Sequence, residues 1–267
     1  MKYKILFITT NYPLSEVDIN NGGRGSFFIP LIKKLTSKGY LFTVVTTNRK
    51  GDIALNETMH GSIGEKIYLF DSNLKNFNNL SIFNPLDLIR LFKFIASYWK
   101  TVNGCIKKEE KFDLVILAWG IPTGILLLNR KLRNLSNAIW WLGTDYNKFN
   151  TLLGRQLLKI ISKLTDINLF NSKSMMINFR EKINKNVEFA PLTNLDYKKE
   201  IKLIRKETKV INILSIGNLL KVKGFDIAID AITTLIDNGY NIEYNIIGEG
   251  EERKFLHKKI SSYHEKI

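Results

Sequence analysis

Residues 215–232 read SIGNLLKVKGFDIAIDAI, and this stretch decides the fold. An apolar run closes at Gly217, a short loop carries Lys221 and Lys223, the chain turns at Gly224, and from Phe225 the apolar residues recur at helical spacing. This order aims a lysine and the free amides of a helix start at one point, an arrangement suited to a diphosphate. Residues 244–256, YNIIGEGEERKFL, repeat it with Gly248 and Gly250. Either stretch alone also fits a solvated lysine beside a helix-start glycine; two in order, at consecutive strand ends, make a pattern.

Working outward, apolar strand-like runs alternate with helical segments along the chain. YKILFIT (3–9), LFTVVTT (41–47), KFDLVILAWG (111–120), NAIWWLG (137–143), DINLFN (166–171) and VEFAPL (187–192) precede VINILSIG (210–217) and EYNIIGEG (243–250). Such alternation predicts α/β architecture with doubly wound parallel sheets. Two such Rossmann-like units follow: an N-terminal domain at 1–196 and a second at 210–267. Between them lies YKKEIKLIRKETK (197–209), either an inter-domain linker or a solvated basic face. Ligands of such sheets bind at the carboxyl ends of strands. There the first long loop, residues 9–27, carries Gly22, Gly23 and Gly25 before a helix, letting backbone amides approach a ligand. It has neither GxGxxG nor GxxxxGK[ST] spacing, and a glycine pair in a long loop is equally an ordinary loop.

Composition narrows the function. With 45% hydrophobic residues in 267, the chain can bury a core. One cysteine, Cys105, with no His/Cys set at ligand spacing, points to a reducing cytoplasm with no metal and no bound cofactor. The start MKYKILFITT reads as a strand and not a leader, and no apolar run is long enough to span a membrane. The formal charge of +15 favours polyanionic partners. It resides in residues 1–196, with 27 Lys/Arg against 15 Asp/Glu, whereas 210–267 have 7 against 8. No zinc-finger, RRM or helix-turn-helix pattern accompanies it, which argues against a nucleic-acid-binding protein. Residues 85–108, PLDLIRLFKFIASYWKTVNGCIKK, mix Leu86, Ile89, Phe92, Phe94, Ile95 and Trp99 with five basic residues. This segment is either a peripheral contact with an anionic membrane or a core helix with snorkelling lysines.

From residue 3 to about 260 the order of these motifs resembles the GT-B-fold, family-four ("group 1") glycosyltransferases. The resemblance is carried by GGRGSFFIPLIKKLTSKGYLFTVVTT (22–47), FDLVILAWGIPTG (112–124), WWLGTD (140–145), TDINLFNSKS (165–174), APLTNLD (190–196), and the 215–232 and 245–256 stretches. It implies transfer of a sugar, with retention, from a nucleoside diphosphate sugar to a lipid-linked or polysaccharide acceptor in bacterial surface glycan synthesis, without an obligatory metal. It further implies Lys223 as the diphosphate cation, with Gly217, Asn218 and Gly250 beside it, Gly22 and Gly23 as a cleft wall, and Asp145 as an acceptor-side contact. The location implied is cytoplasmic, at the inner face of the membrane.

The chain departs from the family pattern at Leu142, where a His is usual, and at Asn218, where an Arg is usual. Asn donates a hydrogen bond without charge, so weaker diphosphate binding is expected. The family's paired-carboxylate helix finds no counterpart in these 267 residues, so the second GT-B domain is expected to be incomplete and the chain inactive as it stands. The alternative is a non-catalytic remnant or a half-subunit needing a second polypeptide.

Overall fold

The computed structural model describes residues 3–20, 23, 25–48, 58–72, 84–109, 111–147, 152–183, 186–192, 209–263 and 266–267. The chain divides into two compact units, Met1–Lys198 and Lys199–Ile267. Of the 197–209 segment, Lys209 alone is among the described residues.

In the first unit the elements run β1 (Lys4–Ile8), α1 (Glu16–Asn20), α2 (Ile29–Ser37), β2 (Leu41–Asn48), β3 (Thr58–His60), β4 (Lys66–Asp71), α3 (Pro85–Lys108), β5 (Leu114–Ala118), α4 (Gly120–Thr123), α5 (Arg130–Arg133), β6 (Asn137–Trp141), α6 (Thr144–Asn147), α7 (Leu152–Leu164), β7 (Ile167–Phe170), α8 (Lys173–Ile183) and β8 (Val187–Phe189). Its eight-stranded sheet has the order β3-β4-β2-β1-β5-β6-β7-β8. Every pairing is parallel except β3 on β4. β3 and β4 lie outside the sequence expectation, although the IYLF run within β4 is bounded by Gly64 and Asp71 as a strand would be.

Both faces of the sheet are covered. Side chains alternate along a strand, so Leu6 and Ile8 enter one cluster with Phe70, Tyr98 and Leu117, while Ile5 and Phe7 enter the other with Phe28, Ile32 and Trp140. α3 lays Phe94, Tyr98, Val102 and Cys105 on the first face, at helical spacing. Phe70 packs against Phe94 at 5.4 Å and Tyr98 at 4.0 Å between ring centroids. At the amino ends of the strands Glu109, just past α3, gathers Lys4 Nζ at 2.9 Å, Lys66 Nζ at 2.6 Å and the Tyr68 hydroxyl at 2.6 Å. Burial opposes its ionisation, but the hydrogen bonds from Lys66, Tyr68 and Lys4 outweigh it and hold the carboxyl at about 2.

The second unit comprises β9 (Ile211–Ile216), α9 (Phe225–Asp237), β10 (Ile242–Ile247) and α10 (Arg253–Lys259), with β9 and β10 parallel. Ile242 and Tyr244 face inward onto Phe225, Ile229, Ile232 and Leu256, joined by the partly buried Ile213 and Ile246. The Tyr244 hydroxyl donates to Ser215 Oγ at 3.0 Å on this inner face. On the outer face Leu214, Ile216 and Ile247 are 57%, 71% and 57% exposed.

Candidate functional site

In the first unit β1 has β2 on one side and β5 on the other, so the connections after β1 and β5 leave in opposite directions. The crevice at their carboxyl ends is where an open α/β sheet takes ligands. The loop after β1 carries Tyr12, whose hydroxyl donates in the interior to Oε1 of Glu65, the residue before β4, at 2.6 Å. Burial first, then the neighbouring Glu65 carboxylate, drives the Tyr12 pKa far above its ordinary value. Gly22 lies outside the described residues. Gly23 donates to Asp18 O at 3.1 Å and accepts from Ser26 N at 2.9 Å, closing the turn into α2. Gly25 is the glycine that this turn demands: its φ is 78°, and a Cβ would collide with the Asn11 carbonyl.

The wall after β5 is built by Asp145. Its carboxylate is 5% exposed and accepts from Gly120 N at 2.7 Å, Gly143 N at 2.8 Å and Leu142 N at 3.1 Å. Desolvation raises its pKa, against the pull of those amides. One buried carboxylate thus ties the loop after β5 to the loop after β6, and its lone pairs are committed to backbone. Trp119, at the mouth of β5, holds the left-handed conformation with φ 66°, a costly backbone for a bulky residue. Its buried indole N–H has no acceptor among the described residues. Gly120 leaves no room for a Cβ against the Trp141 ring.

In the second unit the structure brings Gly217, Asn218, Lys223 and Gly250 into one pair of loops. Gly217 N donates to Ile247 O at 3.0 Å, Leu219 N to Glu249 O at 2.9 Å and Glu252 N to Leu219 O at 3.0 Å, lacing the loop after β9 to the loop after β10. Gly250 is explained by this lacing, because a Cβ there would strike the backbone of Leu219, and Gly248 likewise abuts the Gly217 carbonyl. At Gly217 a Cβ would meet nothing closer than the Phe225 ring at 3.5 Å, so packing leaves that position open. Lys221–Lys223 form one turn of 3-10 helix, and Gly224, with φ 68°, starts α9 with no side-chain cap. The amides of Phe225, Asp226 and Ile227 have no protein acceptor among the described residues, since the first helical bond is Ala228 N to Gly224 O at 3.0 Å. Lys221, Lys223 and Asn218 are exposed, and neither lysine meets a carboxylate among the described residues. Among the described residues the site therefore presents two exposed lysines without a carboxylate partner and a row of unpaired amides, which suits an anion.

Residues 196–266 match the family described as Glycosyl transferases group 1. Over that segment, about a quarter of its length, the chain is similar to the group 1 glycosyltransferases. Protein CapJ of Staphylococcus aureus is 24% identical over 214 residues, 70% of this chain and 54% of CapJ, so the match spans about half the length of that relative. Among solved structures, trehalose-6-phosphate from E. coli bound with UDP-2-fluoro glucose superposes with a TM-score of 0.67 at 11% identity, over 97% of this chain and 68% of that one. Sucrose-phosphate synthase from Thermosynechococcus elongatus gives 0.67 at 12% identity, over 98% and 68%. The fold of the chain is GT-B. The family match covers the lysine–glycine loop and the start of α9. Signals that sequence reading left unused include Asp145 as a loop tie, Trp119 as a strained residue and the Tyr12–Glu65 pair. Asp145 and Tyr12–Glu65 are long-range contacts with no local spacing to announce them, and the left-handed backbone of Trp119 is one that its residue type does not suggest.

Proposed function

We propose that the protein binds a nucleoside diphosphate sugar through its second unit and serves transfer of the sugar to an acceptor handled by the first, a lipid-linked or polysaccharide acceptor in surface glycan synthesis. The observation that carries this reading is the uncapped start of α9 beside the exposed Lys223, within the segment that matches the family. In this reading Lys223 Nζ and the amides of Phe225, Asp226 and Ile227 meet the diphosphate, and Gly217 leaves space for it. Asn218 contributes a hydrogen bond without charge. As the sugar leaves, negative charge collects on the diphosphate, and a pre-placed cation and fixed dipoles stabilise it without reorganising. The reading includes retention of anomeric configuration, as in the family resemblance, and a peripheral position at the inner face of a membrane.

In the first unit, Gly23 borders the β1–β5 crevice in this proposal. Asp145 shapes the crevice by holding the loops after β5 and β6, with the acceptor contacting the loop it holds. Turnover by these 267 residues alone is expected to be negligible: the phosphate site has Asn218 in place of a second cation, and the outer face of β9 and β10 leaves Leu214, Ile216 and Ile247 uncovered. Isothermal titration of the chain with UDP, GDP and ADP tests the reading. Saturable binding of at least one, competed by its nucleotide sugar, is expected; no binding of any of the three, with pyrophosphate equally silent, contradicts it.

A further inference from the structure

α3 is longer than the sheet it covers. Its 24 residues extend about 36 Å, whereas the six residues of β4 span about 20 Å. The end of α3 is fixed at the amino edge of the sheet, where Glu109 bonds Lys4 and Lys66 at the starts of β1 and β4. Phe94 packs on Phe70, the penultimate residue of β4. The turns before Phe94 therefore lie past the carboxyl edge, the edge that carries the ligand loops. Those turns bear a second apolar stripe that the core does not use: Leu86, Ile89 and Phe92 are 62%, 52% and 71% exposed. Phe94, by contrast, is buried, and Ile95 and Trp99 pack against the core. The apolar residues of 85–108 are thus divided between two faces.

Charge selects the partner. Arg90, Lys93 and Lys100 are exposed beside or along this stripe. The acidic residue of Pro85–Lys108 is Asp87, with its side chain 11% exposed and paired to Arg90 at 2.9 Å. An apolar strip flanked by cations, with its one carboxylate neutralised, complements an anionic lipid surface.

The geometry points to the first two turns of α3 as a membrane-insertion element: Leu86, Ile89 and Phe92 enter the headgroup–acyl boundary of an anionic bilayer, and Lys93 and Lys100 lie over its headgroups. This would hold the carboxyl edge of the sheet against the leaflet, within reach of a lipid-borne acceptor. The inference deepens the proposed function and rests on it for that acceptor alone, because vesicle binding is read without sugar transfer or donor binding. The same segment cannot cross the bilayer: among the described residues no helix is long and apolar enough.

The test is co-sedimentation of the 267-residue chain with vesicles of pure phosphatidylcholine and of equimolar phosphatidylcholine and phosphatidylglycerol. Binding to the anionic vesicles is expected, at least about tenfold stronger than to the neutral ones and weakened by salt. The variant Leu86→Ser/Ile89→Ser/Phe92→Ser should lose at least about tenfold of it while keeping its circular dichroism. Phe92→Trp should be quenched by brominated acyl chains. Equal binding by wild type and triple variant, no preference for anionic vesicles, or an unquenched Trp at position 92 would overturn the inference. So would a concentration-dependent dimer abolished by the triple variant, which would assign the stripe to a second copy of the chain.

Discussion

In the first unit β1 is covered on both faces, with Ile5 and Phe7 on one side and Leu6 and Ile8 on the other, none more than 3% exposed. In the second unit β9 is covered on one: Ile213 packs inward while Leu214 and Ile216 stand 57% and 71% exposed. β1 has paired neighbours on both edges; among the described residues β9 has β10 alone. The first unit is thus a scaffold with interior ties, Asp145 between the loops after β5 and β6 and Tyr12–Glu65 at the start of β4. The second presents a phosphate-type loop on a small support. A loop that must admit and release a charged ligand is drawn from the less protected part of a structure, and the loop proposed for the diphosphate lies in the unit with the less covered sheet.

Hydrogen exchange puts the greatest strain on this contrast. Amides of β9 and β10 should exchange at least about a hundredfold faster than those of β1 and β5, because the second unit opens without the first. Equal protection would show that the outer face of β9 is covered in solution.

Truncation of equivalent strand residues sharpens it further. Leu6→Ala removes a fully buried side chain and should cost about 3–4 kcal/mol in chemical denaturation. Leu214→Ala should change stability by less than about 0.5 kcal/mol, and a larger loss would mean that Leu214 is buried in solution.

Much of this was legible in the sequence. Helix α9 begins at Phe225 and ends at Asp237, as the spacing of Phe225, Ile229, Ile232 and Ile236 requires, and the strand runs of both units form parallel sheets. What the pattern does not carry is how many faces a strand buries: KILFI and INILSI are both apolar runs, and coverage depends on helices distant in the chain. The site divides the same way. The lysine and glycines at 217–224 are local and readable, whereas Asp145 looks like a free carboxylate until Gly120, 25 residues away, is seen to bond it. Gly250 reads as a ligand approach point until Leu219 is found filling the space beside it.

A smaller effect separates the units by pH. Glu109, in the first unit, has an ordinary value of 4.5 and is held at about 2 in the folded state. The unfolded chain therefore takes up this proton first: the stabilisation is complete above 4.5 and is lost as the pH falls towards 2. It amounts to about 1–2 kcal/mol, less than the full shift because Lys66 remains in contact with water. Glu109→Gln should remove that part of the acid dependence in urea titrations between these pH values. An unchanged slope would place the acid sensitivity elsewhere.

The central claim is that the loop from Gly217 to Gly224 holds a diphosphate. Its most direct test is the affinity of the tightest-binding nucleoside diphosphate for the wild type, Lys223→Ala and Asn218→Arg. Removal of Lys223 should cost about 1.5–3 kcal/mol, roughly ten- to a hundredfold, with no change in stability, and Asn218→Arg should bind more tightly than the wild type. Unchanged affinity in both variants would contradict the account and place the phosphates elsewhere.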